Sequence, residues 1–325
     1  MKHIARAALA VLAVLTLAGP ALAEYPDRPV KIIVATTPGG GYDLVGRLTA
    51  DSLRQTVGGS FIVENVPGAG SLLGTRQAAK ATPDGYTLTT GGLSNIVLNM
   101  GLYAKPGYDP SKDFVPIGLV YSTPYVLVAR KDFPYHTLAE VIAAARAKPN
   151  GLSVGTAGPG TGQDVIASLF AYLAKVEVTK VPYRGSAPVY TDMMGGRVDM
   201  FFDALTSAVP QVEGKTVQAI VTLGSRRSPR LPDVPTSAEA GLPDLNVGEI
   251  GSWIGLFAPA RTPPDIVAKL RAGLAKTTAD PAFRQRIEAS GADVLDIPGD
   301  KVQALVDSQG AKWLALMRNA GIAPQ

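Results

Sequence analysis

The 325-residue sequence has no cysteine and only two histidines, His3 and His136. The first absence excludes disulfides, thiolate nucleophiles and zinc–thiolate sites. The scarcity of histidine removes most triad and metal chemistry. Charged residues make up 18% of the chain, below the roughly 25% of ordinary globular proteins. No Lys/Arg cluster points to nucleic acid, since Arg226, Arg227 and Arg230 are interleaved with Ser and Pro as in a solvated loop. Common enzyme signatures fail too. A dinucleotide fingerprint starting at Gly158 meets Gln163 where Gly is needed, and one starting at Gly68 meets Leu73. Gly214-Lys215-Thr216 ends like a P-loop, but the earlier Gly is replaced by Val209. A nucleophile elbow is not expected. His136 precedes the capping pair Thr137/Glu140 and reads as a packed or solvated residue.

What is present is a foldable two-domain chain. Hydrophobic residues are 46% of the total, enough for a large core despite 35 Gly and 26 Pro. Lys2 and Arg6 precede an apolar run, Ala7 to Ala18, and Ala21-Leu22-Ala23 forms an A-x-A site. This pattern predicts a cleaved signal peptide over residues 1–23 and a mature chain in the periplasm. No Cys follows the run, so lipid attachment is excluded. Cleavage removes Lys2 and Arg6, half of the formal charge of +4.

Short β-branched runs alternate with helical patterns, as in Val30–Ala35 followed by Tyr42–Val57, or Leu152–Gly155 followed by Gln163–Ala174. The alternation predicts an α/β architecture of two mostly parallel sheets. Two strand-like runs meet at Ser122-Thr123-Pro124, a candidate crossing between domains, and the Pro/Arg/Ser-rich stretch 222–235 is a candidate return. The expected division is residues 24–123 with 224–325 in domain 1 and 124–223 in domain 2.

Two Gly-rich turns each follow a strand and precede a helix. They are Thr37-Pro38-Gly39-Gly40-Gly41-Tyr42-Asp43 and Thr156-Ala157-Gly158-Pro159-Gly160-Thr161-Gly162-Gln163. Backbone N–H groups at such helix starts favour an anion, and Gly lets it approach. One turn from each domain would clamp a carboxylate across a cleft; two ordinary turns are the alternative. Asp43 and Asp164 fall in first helical turns, where the dipole favours a carboxylate, and Asp203 ends a strand at an edge where ligands bind.

The ordered series of motifs resembles the solute-binding proteins of tripartite tricarboxylate transporters, known in Bordetella as the Bug family. It includes Tyr25-Pro26-x-Arg28-Pro29, Pro38-Gly39-Gly40-Gly41-x-Asp43, Val63-Glu64-Asn65-x-Pro67-Gly68-Ala69-Gly70, and Pro83-Asp84-Gly85-Tyr86. It continues with Pro182-Tyr183-Arg184-Gly185-Ser186-Ala187-Pro188, Gly195-Gly196-Arg197-Val198-Asp199, Leu231-Pro232-Asp233-Val234-Pro235 and Gly255-Leu256-Phe257-Ala258-Pro259. The resemblance implies a two-domain periplasmic binding protein of the type II fold, with two crossover strands and a ligand cleft between the domains. It implies capture of a small organic acid and delivery to a membrane permease with a large and a small subunit. Neither a cofactor nor a metal is implied, and the chain is expected to be a monomer and not an enzyme.

The expected ligand-binding residues are Thr37, Pro38, Gly39, Gly40, Gly41, Tyr42 and Asp43 from the first turn. Thr156, Gly158, Gly160, Thr161, Gly162, Gln163 and Asp164 come from the second, and Asp203 joins them. Gln163, Asp164 and Ser168 stand where many relatives carry a Ser-rich segment and His, and Tyr42 replaces a small residue. Both departures lean toward a less charged ligand, such as an aromatic or monocarboxylic acid or one bearing an amine. A sensor module using the same cleft is the alternative function, and a carboxylate-based hydrolase or isomerase is the weakest third.

Overall fold

A computed structural model gives the fold and describes residues 24–246, 252–322 and 324. The signal peptide expected over 1–23 lies outside the described residues. The first half of the chain begins with β1 (Val30–Val34), α1 (Gly41–Thr56), β2 (Phe61–Asn65), α2 (Leu72–Ala79) and β3 (Thr87–Gly92). In β1 every residue except Lys31 is buried, as expected of a strand covered on both faces. A π-helical turn at Leu93–Leu98 runs into the short α3 (Asn99–Leu102), and α4 (Pro110–Asp113) leads into β4 (Phe114–Thr123). Pro124 then carries the chain into β5 (Tyr125–Arg130) of the other sheet.

The second group is α5 (Leu138–Ala147), β6 (Ser153–Thr156), α6 (Gly162–Ala174), β7 (Thr179–Pro182), α7 (Ser186–Met194), β8 (Met200–Ala204), α8 (Leu205–Glu213) and β9 (Val217–Thr222). The chain closes with β10 (Ser252–Pro259), α9 (Pro264–Ala279), α10 (Pro281–Ala289), β11 (Asp293–Pro298) and α11 (Gly299–Asn319).

The first sheet has the order β11-β4-β10-β3-β1-β2 and the second β7-β6-β8-β5-β9. They are mixed where mostly parallel pairing was expected. Parallel ladders join β1 to β2 and β3, and β6 to β7 and β8. The strands around the crossing pair antiparallel: β10 with β3 and β4, β11 with β4, and β5 with β8 and β9. The reason is topological. Strand–helix–strand units return in the same direction, whereas β4 and β5 lead from one sheet into the other and β10 inserts between β3 and β4 from the opposite end.

The segment after β9 touches both sheets: Arg226 pairs with Asp293 of β11 at 3.0 Å, and its later part returns to the second sheet. Thr222 bridges Thr236, Thr222 N donates to Pro235 O at 2.8 Å, and the turn Pro243–Leu245 packs on α6. Helix α11 lies against β4 and the π-helical turn and buries Trp313 completely. One hydrophobic cluster runs through both sheets, from Leu93 and Trp253 to Tyr125 and Phe170, so the two halves share packed core as well as chain crossings. No described helix is long and apolar enough to cross a membrane.

Candidate ligand-binding site

Between the two sheets lies a cavity of about 520 Å³, within the size range of small-molecule sites. It collects the C-terminal ends of five parallel strands. After β1, β2, β6, β7 and β8 the chain turns into α1, α2, α6, α7 and α8, and each of these turns borders the cavity. Ligands gather at this edge of open α/β sheets because helix N-termini point there. Four of the five starts have no side-chain cap: Gly40 before α1, Ser71 before α2, Gly185 before α7 and Ala204 before α8. The N–H groups of Gly40, Gly41, Tyr42 and Ser186 have no protein acceptor among the described residues. First-turn donors left in this way, with the positive dipole ends behind them, suit an anion without any charged side chain.

Among the described residues the lining holds two charged ones, Arg184 and Asp203. Arg184 is exposed and makes no hydrogen bond or ion pair among the described residues. Asp203 is fully buried, and burial pushes its carboxyl up to about 6. Hydrogen bonds from Gln163, Ala204 N, Ser186 and Tyr190 pull the other way. No group of three metal-ligating side chains occurs among the described residues.

Of the expected site residues, Thr37, Gly40, Gly41, Tyr42, Gly158, Thr161, Gln163 and Asp203 border the cavity. Pro38, Gly39, Asp43, Thr156, Gly160, Gly162 and Asp164 do not. Gly39 N donates to Asp43 Oδ2 at 3.0 Å, four residues along, and Gly160 N makes the same stitch to Asp164 Oδ2 at 3.4 Å. Both loops are thus held by a carboxylate that faces its own turn. Asp43 also takes bonds from Arg47 and Asn65. Burial alone would raise its carboxyl, but these partners outweigh it and hold the group below the ordinary range. Asp164 is tied to Lys180 Nζ at 2.9 Å, on the far side of Gly160. Gly162 N is committed to Ser94 Oγ at 3.2 Å, and Thr156 is buried beneath the turn.

Several lining residues carry no signal that the turns alone reveal. Tyr121, Tyr125 and Ile254 reach the cavity from strands, and Ser94 from the π-helical turn. Pro67–Gly70 and Tyr183–Ser186 belong to motifs quoted for the family resemblance, yet neither is among the expected ligand-binding residues. One spacing imitates a catalytic motif. Gly151-Leu152-Ser153-Val154-Gly155 has the G-x-S-x-G form, but Ser153 opens β6 and its hydroxyl donates to Asp199 Oδ2 at 2.8 Å. It forms no strand-to-helix elbow.

The rim is closed by contacts between the two halves. Tyr121 and Thr206 hydroxyls meet at 2.7 Å, and Ser94 caps the start of α6 through Gly162 N. Gly70 sits against Pro159 O and Gly185 against Thr37 Oγ1, so a side chain at either position would collide with the other half. Both glycines have positive φ, which a β-carbon would also strain.

Residues 45–322 match the family model described as the tripartite tricarboxylate transporter family receptor. Three solved structures are similar. The periplasmic binding protein BugD is 36% identical, with a TM-score of 0.87 over 93% of this chain and 100% of that one. Rpa4515 of R. palustris, solved with adipate, is 32% identical, with a TM-score of 0.88 over 93% of this chain and 100% of its own. MatC of Rhodopseudomonas palustris, solved with bound malate, is 36% identical, with a TM-score of 0.85 over 90% and 99%. The five-helix cavity between two mixed sheets, the family match and these likenesses agree: the chain belongs to the tripartite tricarboxylate transporter receptor family and is a solute-binding receptor of the periplasmic binding protein fold, not an enzyme.

Proposed function

We propose that the receptor captures a small carboxylate in the cavity between its sheets and delivers it to a two-subunit membrane permease, working in the periplasm after loss of residues 1–23. One observation carries the reading. Five helix N-termini, four without side-chain caps, converge on one cavity, and among the described residues the one free charged group in its lining is the cation Arg184. The carboxylate is held by main-chain donors of the α1 turn, with Gly40 and Gly41 at its centre and Thr37, Thr161 and Gln163 beside them. The relatives solved with adipate and malate support a carboxylate ligand. Opening and closing turn on the Pro124 passage between the sheets, so that β1–β4 with β10 and β11 form one moving unit and β5–β9 the other.

Calorimetry of the mature protein against a panel of C2–C8 mono-, di- and tricarboxylates tests the reading. Gly40→Val supplies the control. Gly40 has an ordinary negative φ and open space where a Cβ would stand, so valine there occupies ligand space without straining the fold. Affinity is expected to fall by about 100-fold, about 2.7 kcal/mol, with an unchanged melting temperature. Unaltered affinity in this variant removes the α1 turn from the site. Gly160→Val, a natural companion variant, is unsuitable, because Gly160 has positive φ and abuts the Tyr103 hydroxyl.

A further inference from the structure

Asp203 is the one acid of the cavity wall among the described residues, and it is fully buried. Its Oδ1 accepts from Gln163 Nε2 at 3.0 Å, Ser186 Oγ at 3.0 Å and Ala204 N at 2.9 Å. Its Oδ2 accepts from the Tyr190 hydroxyl at 3.1 Å. All four donors are neutral, so the charge is solvated by dipoles alone. The surroundings add little. Tyr121 of β4, Tyr125 of β5 and Tyr190 of α7 feel the Asp203 charge, and burial holds all three phenols above their ordinary range, so they stay neutral. On α6, Gln163 is neutral and Asp164 is tied to Lys180. Asp199, just before β8, pairs with Arg130, and Glu213 of α8 pairs with Arg230. Strand β6 carries no charged residue.

A bound carboxylate adds a second negative charge to this enclosure. Ser186 ties the two together. Its hydroxyl donates to Asp203, and its main-chain N–H is one of the first-turn donors without a protein acceptor among the described residues. An anion received there lies within one residue of Asp203. The hydroxyls of the wall, Ser94, Tyr121, Tyr125, Ser207 and Ser252 among them, can donate to either anion but carry no charge. Arg184 is one exposed cation for two anions. A like charge nearby raises the proton affinity of a carboxylate, and most where it is buried. Asp203 can take a proton without losing its setting. Its Oδ1 keeps three donors, and at Oδ2 the Tyr190 hydroxyl can accept where it donated. Burial has already brought this carboxyl up to about 6, so a further rise carries it through neutrality.

We propose that a proton is a second ligand of this receptor: capture of a carboxylate is coupled to uptake of one proton at Asp203 Oδ2, so acid and proton are bound together and released together as the surroundings turn alkaline. The proposal rests on the carboxylate reading above and deepens it.

Calorimetry on the mature protein tests it, with the C2–C8 mono- or dicarboxylate that binds most tightly. The range is about pH 6.5 to 8.5, where the carboxyl groups of such a ligand stay ionised. Affinity is expected to fall by about tenfold or more across it, as Asp203 becomes harder to protonate. Runs near pH 7 in two buffers of different ionisation enthalpy should give uptake of about half a proton or more per ligand. Asp203→Asn, whose amide imitates the protonated acid, should abolish the uptake and flatten the profile. Ser186→Ala removes a donor that favours the ionised form while keeping the N–H, and should move the descent to higher pH. His136, bonded to Gln218 Oε1 at 2.6 Å, does not border the cavity, and His136→Gln should leave profile and uptake unchanged. Affinity that is level or rises with pH in the unaltered protein overturns the proposal. So does uptake that survives Asp203→Asn or is lost in His136→Gln. Where Asp203→Asn does not fold, a descent that Ser186→Ala leaves unmoved overturns it as well. Binding of no carboxylate at millimolar concentration defeats the carboxylate reading itself, an outcome distinct from binding that ignores pH.

Discussion

Asp203 and Asp43 are carboxylates of one cavity region displaced in opposite directions. Asp43 has the Arg47 guanidinium at 3.0 Å, and with its other partners this keeps it ionised. Asp203 has four neutral donors and no cation, so burial wins and its carboxyl rises from 3.8 to about 6. The folded state therefore holds the Asp203 proton more tightly than the unfolded chain. The stability this contributes is complete below 3.8 and lost as pH rises through about 6. By pH 7 the loss from this residue is about 3 kcal/mol. Urea unfolding of the ligand-free protein between pH 4 and 7 should show that decline, and Asp203→Asn should flatten it. An unchanged slope in the variant would place the dependence elsewhere. Asp43 has the reverse sign. Its contribution is present above the ordinary carboxylate value and is lost as pH falls, outside the window that reports on Asp203. In the sequence the two residues look alike, each an aspartate next to a strand–helix junction. Their difference comes from Arg47 one helical turn from Asp43 and from the buried position of Asp203, and only the first of these is legible in the spacing.

At the scale of the element, local chemistry predicts well where it is self-contained. Thr137 and Glu140 form the capping box expected of them, with Glu140 N donating to Thr137 Oγ1 at 3.2 Å and Glu140 Oε2 accepting from Thr137 N at 3.0 Å. Thr137→Ala should lower the unfolding free energy by about 1 kcal/mol, and chemical denaturation reads it directly. The Gly turns before α1 and α6 are legible for the same reason, since loss of a side chain at consecutive positions marks where backbone must turn sharply. Other elements are hidden. All eight residues of β10 are buried, so it shows no alternation, and Gly255 within it is required because Gly118 O and Leu119 crowd its α-carbon. Helix α8 contains Pro210, which reads as a breaker, yet Leu205, Ala208 and Val209 bury the face that keeps it in place. Strand β11 is mostly half-exposed and its ladder with β4 is irregular. The cavity residues Tyr121 and Tyr125 belong to β4 and β5, and a strand's register against a distant helix is not written in its own residues.

For the whole molecule, the two halves touch across the cleft. The Tyr121–Thr206 hydroxyl pair and the Ser94–Gly162 bond span the cleft beside the cavity, and such contacts help set the balance between closed and open forms. Tyr121→Phe deletes one of them while keeping the ring in its buried place. The variant should show a larger radius of gyration by X-ray scattering without ligand and recover the compact value at saturation, with affinity weakened by about tenfold or less, up to about 1.4 kcal/mol. Identical scattering with and without ligand in both proteins would deny that closure accompanies capture. The two-sheet plan was legible from the strand–helix alternation, and the passage at Pro124 from its position between two apolar runs. The packing of the Pro- and Arg-rich stretch after β9 was not, because a stretch that looks like a linker is bound to β9 through Thr236, to α8 through Arg230 and Glu213 at 2.5 Å and to β11 through Arg226 and Asp293 at 3.0 Å.

The amides that the proposed function assigns to the ligand at the α1 turn belong to the main chain, and an amide is the same in every amino acid except proline. On that reading a gene copy that drifts after duplication keeps its attraction for negative charge for as long as the turns keep their shape. The choice among acids then falls to the few side chains on the cavity wall, Gln163, Ser186 and Arg184 among them, so a new nutrient is a matter of a few point changes on an unchanged fold.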